Sequence, residues 1–93
     1  MRNLVKGSTK NRMRRLLTWS EVNKMMAVRR WQLVTNEPKK KEWKRGNEKV
    51  SVFETFERKW KAEFFYGRRL QDSTGTNDEF FAKVMTLEFA AFK

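Results

Sequence analysis

Residues 59–66 read Lys-Trp-Lys-Ala-Glu-Phe-Phe-Tyr, and apolar residues occupy every second position from 60 onward. Lys61, Glu63 and Phe65 lie between them, so an extended chain would have one apolar face and one mostly charged face. A period of two is typical of a half-buried antiparallel strand. The segment therefore predicts a strand of an antiparallel sheet.

A helix is the alternative for the wider segment 49–66. Ser51 and Glu54 have the spacing of a capping box, in which two side chains satisfy the free amides at a helix start. Large apolar residues also recur there at helical spacing, namely Phe53, Phe56, Trp60 and Phe64. If this segment is helical, the protein is a small all-α bundle instead of a sheet protein.

The last third of the chain predicts the rest of the sheet and a helix that covers it. Gly67 permits a turn, residues 68–71 predict a short returning strand, and residues 72–77 predict a loop. Asp78 suits the positive start of a helix. The stripe predicted to face the sheet is Phe80, Val84, Leu87 and Ala91. The predicted fold class is α+β: N-terminal basic helices, then an antiparallel sheet packed on a C-terminal amphipathic helix.

The first part of the chain predicts helices followed by irregular structure. A helical pattern begins at Ser8, and Thr18 and Glu21 have the spacing of a second helix start. Residues 31–35 are rich in β-formers, and residues 36–38 predict a turn because the residue before a proline disfavours helix.

The charge of the chain is concentrated in its first half. Residues 1–45 hold fourteen of the 22 Lys and Arg residues and three acids, a net charge of +11, whereas residues 46–93 hold eight of each. We expect one small domain, with a basic arm and helices over residues 1–45 and a compact sheet-plus-helix body over residues 46–93. Because like charges repel, the basic half predicts a polyanion or an acidic protein surface as its partner.

The composition argues against several classes of function. The chain has no Cys and no His, which excludes disulfides, thiol chemistry and imidazole acid–base catalysis. We find no phosphate-binding loop, dinucleotide fingerprint or metal-ligand spacing. No apolar run approaches the roughly 20 residues of a membrane span. We therefore expect a non-enzymatic binding protein with no cofactor, no metal, no small-molecule substrate and no membrane partner.

The run from Lys39 to Gly46 is the densest local group of cations, and it contains Trp43. Basic and aromatic residues interleaved in this way suit single-stranded or looped nucleic acid, with Trp43 stacked on a base. The alternative is a solvated loop with Trp43 in the core. The residues predicted to contact nucleic acid are Arg12, Arg14, Arg15, Arg29, Arg30, Lys39, Lys40, Lys41, Trp43, Lys44, Arg45, Lys59, Lys61, Arg68 and Arg69.

Three short motifs follow one another in residues 49–93. They are Lys59-Trp60-x-Ala62-Glu63, Gly75-Thr76 and Leu87-Glu88-x-Ala90-Ala91. In this order they resemble the AP2/ERF type of DNA-binding domain, and the resemblance implies a three-stranded antiparallel sheet packed on one helix, with nucleic acid as the ligand. The first strand of that family carries an R-G-V-R stretch that reads bases, whereas residues 50–54 of this chain contain no arginine. Contacts to phosphates are therefore expected in place of direct base readout.

The sequence predicts a nucleic-acid-binding protein, and we expect an RNA-contacting structural subunit of a ribonucleoprotein assembly such as a ribosome. A different hypothesis is a small basic adaptor or virus-encoded inhibitor that binds an acidic surface of a protein complex. A further alternative is an AP2-like protein that binds DNA. The first twenty residues hold six cations and no acid, a composition typical of a mitochondrial targeting segment or of a simple basic arm. We expect an intracellular protein, either cytoplasmic or mitochondrial.

Overall fold

The strands and helices of this chain form an α+β domain, seen in a computed structural model that describes residues 17–92. The elements in chain order are α1 (Trp19–Val28), β1 (Gln32–Glu37), β2 (Lys40–Arg45), β3 (Glu48–Glu54), β4 (Trp60–Tyr66), β5 (Arg69–Thr76) and α2 (Glu79–Phe92). The α+β class agrees with the sequence prediction. The number of strands does not, because the described sheet has five strands where three were predicted.

The five strands form a meander in which each strand pairs antiparallel with the next along the chain. The alternating segment that predicts a strand is β4, and it pairs with β3 on one side and β5 on the other. Because β3 is itself hydrogen-bonded between β2 and β4, the helical alternative for residues 49–66 is wrong.

The two additional strands, β1 and β2, come from the part of the chain that was predicted as a basic arm with helices. The β1 strand falls largely on the segment 31–35 that the sequence marks as rich in β-formers. The β2 strand was predicted as a loop, because one of its two buried positions is Lys41 and its alternation is hidden in a run of cations. The sheet therefore crosses the predicted boundary between residues 45 and 46.

Side-chain caps set the starts of both helices. The Thr18 hydroxyl accepts a hydrogen bond from the Glu21 amide at 3.2 Å, which confirms the predicted helix start. The Asp78 carboxylate accepts from the Phe80 amide at 2.9 Å and caps α2 in the same way. The earlier helix predicted from Ser8 begins outside the described residues.

Both helices pack on one face of the sheet, which we call the inner face. The inner face contributes Trp43, Val50, Val52, Ala62 and Phe64 to a single buried cluster, and α1 adds Val22 and Met26. Among residues 79–91 of α2, the buried ones are Ala82, Thr86, Phe89 and Ala90. The predicted helix face was therefore wrong, because none of the four residues of the predicted stripe is buried and Ala91 is exposed.

The opposite face of the sheet, which we call the outer face, carries the alternate residues of the same strands. Neither of the described helices covers it, since both belong to the inner cluster. Three rows of cross-strand neighbours run over its middle. In order from β2 to β4, the rows are Lys40, Phe53 and Lys61; Glu42, Ser51 and Glu63; Lys44, Lys49 and Phe65.

Candidate nucleic-acid interface

Two tight turns lie side by side at one end of the sheet. The β2–β3 turn is Gly46-Asn47 and the β4–β5 turn is Gly67-Arg68, and each joins its strands with only two residues. Gly46 has φ +60° and Gly67 has φ +61°, a backbone conformation that glycine adopts at the first position of a type II′ turn without steric cost. The Gly67 amide donates to the Asn47 carbonyl at 2.7 Å, so the two turns are tied together.

Positive charge is concentrated around these turns. We define the turn end as residues 29–30, 44–49 and 66–69, which hold seven Lys and Arg residues and one acid, a net charge of +6. Residues 17–92 together hold fifteen Lys and Arg residues and eleven acids, a net charge of +4. The described residues outside the turn end therefore hold eight cations and ten acids, a net charge of −2.

Several turn-end cations point into solvent. Arg30, Lys44, Arg68 and Arg69 are exposed, and none of them has an ion pair with another residue in the range 17–92. Arg29 is also exposed, and its guanidinium donates to the Met25 carbonyl at 3.1 Å. These side chains are available to an external anion without first leaving a carboxylate.

Arg45 has a different position from the other turn-end arginines. Its guanidinium lies 4.4 Å from the centroid of the Trp31 ring, donates from Nε to Glu48 at 3.0 Å, and donates from Nη1 to the Arg29 carbonyl at 3.1 Å. Arg45 therefore fastens the end of α1 to the β2–β3 hairpin. It holds Arg29 and Arg30 beside the turns, and the turn-end charge is continuous as a result.

An open groove of about 450 Å³ leads from the turns onto the outer face. Its lining includes Lys44, Asn47, Lys49, Phe65 and Arg68. Lys49 lies with its ammonium 4.6 Å from the centroid of the Phe65 ring and 3.7 Å from a Glu42 carboxylate oxygen. The groove thus joins the cations of the turn end to Phe65 on the outer face of the sheet.

Glu42 lies on β2, in the middle row of the outer face, and is held by several donors. Its carboxylate accepts from the Thr35 hydroxyl at 2.9 Å and from the Ser51 hydroxyl at 3.2 Å, with Lys49 nearby. Partial burial acts to raise the pKa of Glu42, but these hydrogen bonds and the nearby lysines outweigh it, and the pKa is lowered from its ordinary value. Glu42 is therefore a charged, structurally engaged carboxylate.

The other end of the sheet, which we call the loop end, contains residues 37–40 and 54–61. It holds five cations and three acids, a net charge of +2. Lys39 lies 3.7 Å from a carboxylate oxygen of Glu54, and Lys61 lies 3.9 Å from one of Glu63. Ion pairs with carboxylates therefore occur at both ends, since Arg45 and Lys49 of the turn end also have them, and the two ends differ in net charge.

Two of the residues predicted to contact nucleic acid lie in the interior. Trp43 is 0% exposed and its indole N–H donates to the Asn23 side-chain oxygen at 3.0 Å, so it offers no ring face to a base. Lys41 is 8% exposed, and its ammonium donates to the Glu37 carbonyl at 2.6 Å. Burial lowers the pKa of Lys41 from its ordinary value. The alternative in which Trp43 belongs to the core is the correct one.

The remaining predicted contacts divide between the two ends of the sheet. The structure brings six of them together at the turn end, namely Arg29, Arg30, Lys44, Arg45, Arg68 and Arg69. Four others lie at the loop end, namely Lys39, Lys40, Lys59 and Lys61. Arg12, Arg14 and Arg15 lie outside the described residues.

The sequence prediction omitted three residues that line the candidate site. Lys49 belongs to the turn end, and Phe53 and Phe65 are half-buried aromatic residues of the outer face. The signal for Phe65 was present, because the period of two places it on the charged side of β4. An aromatic residue on that side lies on the outer face instead of in the core.

Comparison with known proteins gave no relatives: the chain matches no protein-family model, no curated protein and no solved structure. Within residues 17–92, we find no group of three or more Cys, His, Asp or Glu side chains placed to hold a metal ion. None of the described helices has both the length and the apolar character required to cross a bilayer.

Proposed function

We propose that this protein is a non-enzymatic nucleic-acid-binding protein that contacts phosphates through the turn end. The observation that carries the proposal is the concentration of seven cations and one acid at one end of a domain whose other described residues have a net charge of −2. Phosphate contacts supply salt-dependent affinity and fix position with little sequence specificity. An RNA-contacting structural subunit of a ribonucleoprotein assembly fits such a surface.

The dimensions and chemistry of the turn end suit a polyphosphate chain. Arg29 and Arg69 lie near opposite edges of the five-stranded sheet, which is about 19 Å across at an interstrand spacing of about 4.8 Å. Five of the seven turn-end cations are arginines, whose planar guanidinium binds phosphate with two hydrogen bonds. A row of this length contacts several phosphates at once.

The side chains of the outer face favour RNA or single-stranded nucleic acid over duplex DNA as the ligand. The AP2-like alternative would place base-reading arginines on the first of its three strands. The outer positions of β3 are Lys49, Ser51 and Phe53: none of them is an arginine, and Lys49, the one cation among them, lies 3.7 Å from a Glu42 carboxylate oxygen. Contacts to backbone and to exposed bases are the chemistry that these side chains provide.

The test compares two variants that each lose two adjacent positive charges. Arg68→Gln/Arg69→Gln changes the turn end, and Arg58→Gln/Lys59→Gln changes the loop end by the same charge. Binding to structured RNA would be measured over a series of salt concentrations. We expect the turn-end variant to bind more weakly and to reduce the slope of log K against log salt by about 1.4 to 1.8, for two lost phosphate contacts.

We expect the matched loop-end variant to keep nearly the slope of the unmodified chain. Equal losses in the two variants would mean that the turn end has no special role. Binding that does not depend on salt, or no binding of RNA or DNA, would overturn the proposal.

A protein partner is the second candidate, and Phe56 is the observation that favours it. Phe56 is 99% exposed at the loop end, in the connection between β3 and β4. Exposed aromatic residues beside arginine are common anchors of protein interfaces. If this candidate is correct, Phe56→Ser will abolish capture of an acidic protein partner, while Arg68→Gln/Arg69→Gln will not.

A further inference from the structure

We propose that the outer face of the sheet binds single-stranded nucleic acid, with bases stacked on Phe53 and Phe65. The sugar–phosphate backbone of the strand would continue across the cations of the turn end. This inference rests on the proposed function and adds the class of nucleic acid that the site takes. The stacking residues differ from Trp43, the residue that the sequence suggested, because Trp43 is buried on the inner face.

The two phenylalanines are placed as separate platforms on neighbouring strands. Phe53 of β3 is registered with Lys61 of β4, and Phe65 of β4 is registered with Lys49 of β3. The two pairs are four residues apart along the strands, a separation of about 14 Å at about 3.4 Å per residue. Two bases that stack on these rings would therefore be separated by intervening nucleotides that cross the middle of the face.

Lysines lie beside both rings and supply charge complementary to a phosphate backbone. Phe53 has Lys40 and Lys61 as its cross-strand neighbours in the same row. Lys49 lies over Phe65 at 4.6 Å from the ring centroid, so a base that stacks on that side of the ring would displace the ammonium toward the phosphates. A positively charged groove with aromatic platforms is the arrangement that binds single strands without strong sequence preference. The groove from the turn end makes this face continuous with the phosphate-binding cations.

A second groove, of about 410 Å³, lies between the two rings and contains carboxylates. Glu42, Ser51 and Glu63 form its central row. Carboxylates repel phosphates, but they accept hydrogen bonds from the amino groups of bases. The bases would thus face the sheet and the phosphates would face the lysines at the rim.

This arrangement, with bases toward the sheet and phosphates toward the lysines, favours single strands over duplexes. In a duplex the base faces are stacked on one another, so they are not free to lie on Phe53 and Phe65. A surface that bound only phosphates would gain nothing from the aromatic rings or from the central carboxylates. The combination of the two features on one uncovered face is what points to unpaired bases.

The experiment uses the unmodified full chain and three labelled probes of equal length, each in DNA and RNA form where the chemistry allows. The probes are a single strand, the corresponding duplex, and an abasic strand that keeps the phosphates and lacks the bases. Fluorescence anisotropy at fixed salt would give the affinities. We expect the single strand to bind at least about 10-fold more tightly than the abasic strand, because stacking contributes to each bound base.

The variants Phe53→Leu and Phe65→Leu keep an apolar side chain and remove the aromatic platform. We expect each to bind the single strand about 5-fold or more weakly, with the abasic strand unchanged. Phe81→Leu is the matched control, since Phe81 is a partly exposed phenylalanine of α2 on the other side of the sheet. We expect this control to bind all probes as the unmodified chain does.

The outcomes separate this inference from the proposed function. If the abasic strand, the duplex and the single strand bind equally and remain sensitive to Arg68→Gln/Arg69→Gln, the stacking proposal is overturned and phosphate binding at the turn end stands. If none of the probes binds, the proposed function itself is overturned. The comparison of probes on the unmodified chain does not depend on whether a variant folds.

Discussion

The inner and outer faces of the sheet are built from alternate residues of the same strands, yet they differ in burial and in the kind of side chain that they carry. Trp43, Val50 and Phe64 of the inner face are buried under two helices, whereas Glu42 and Phe65 of the outer face are only partly buried. One face supplies the apolar area that stabilises a small domain. The other is left with charged and aromatic side chains, so substitutions on the two faces should separate stability from binding.

Lys41 and Glu42 show the contrast between the faces at adjacent positions of β2. The pKa of each is lowered from its ordinary value, which disfavours the charged form of Lys41 and favours the charged form of Glu42. On the inner face, burial disfavours the charged ammonium of Lys41. On the outer face, partial burial of Glu42 is outweighed by hydrogen bonds and lysines that favour its charged form. The fold therefore opposes one charge and stabilises the other.

The largest effect on stability should come from the inner face. Trp43→Ala removes the largest fully buried side chain and leaves Asn23 without its indole donor, so we expect a loss of about 3 to 5 kcal/mol in the free energy of unfolding. Phe53→Ala on the outer face should cost less than half as much. Urea denaturation of the two variants gives the comparison. Similar losses in the two variants would show that the outer face contributes as much to the free energy of unfolding as the inner face.

An intermediate effect is expected from Glu42 on the outer face. Glu42→Gln weakens its bonds to Thr35, Ser51 and Lys49, and we expect a loss of about 1 to 2 kcal/mol at neutral pH. Because the folded pKa of Glu42 lies below its ordinary value of 4.5, its contribution is present above pH 4.5 and is lost as pH falls through the folded pKa.

Stability of the unmodified chain and of Glu42→Gln should therefore converge at acid pH. Denaturation measured over a pH series checks this expectation, with Glu57→Gln as a control from the exposed β3–β4 loop. A constant difference between the unmodified chain and Glu42→Gln at every pH would contradict the account of the carboxylate.

The smallest effect is expected from Lys41 on the inner face. Lys41→Met loses the hydrogen bond to the Glu37 carbonyl but relieves the burial of a charge, so we expect a net change below about 1 kcal/mol at neutral pH. Because the folded pKa of Lys41 lies below its ordinary value of 10.5, stability of the unmodified chain should rise as pH increases through the folded pKa. The rise should be absent in Lys41→Met, as measured by thermal denaturation at alkaline pH.

The difference between the faces also explains which elements the sequence could predict. The alternation in β4 is clear because its inward residues are all apolar, and α2 was expected from its acidic start at Asp78. In β2 an inward lysine interrupts the apolar period. The β5 strand was predicted only in part, since it is a polar edge strand with a single neighbour and has no buried residue. Backbone pairing of this kind leaves little trace in the sequence.

The candidate site was predicted in part for a similar reason. The turn-end arginines stand out in the sequence as charges, but their association depends on strand order, which brings residues 29–30 beside the β2–β3 turn and ties that turn to the next. Trp43 was chosen as the stacking residue because it lies among lysines. The face of the strand on which it lies, and not its neighbours in sequence, decides its role.

The most direct test of the account is to map the bound surface on the isotope-labelled chain by NMR during titration with a single-stranded oligonucleotide. We expect amide shifts at Gly46, Gly67 and Ser51, together with the residues around them, and little change in α2 on the opposite side of the sheet. This pattern would place the ligand on the turn end and the outer face. Shifts confined to the loop end or to α2 would contradict the account.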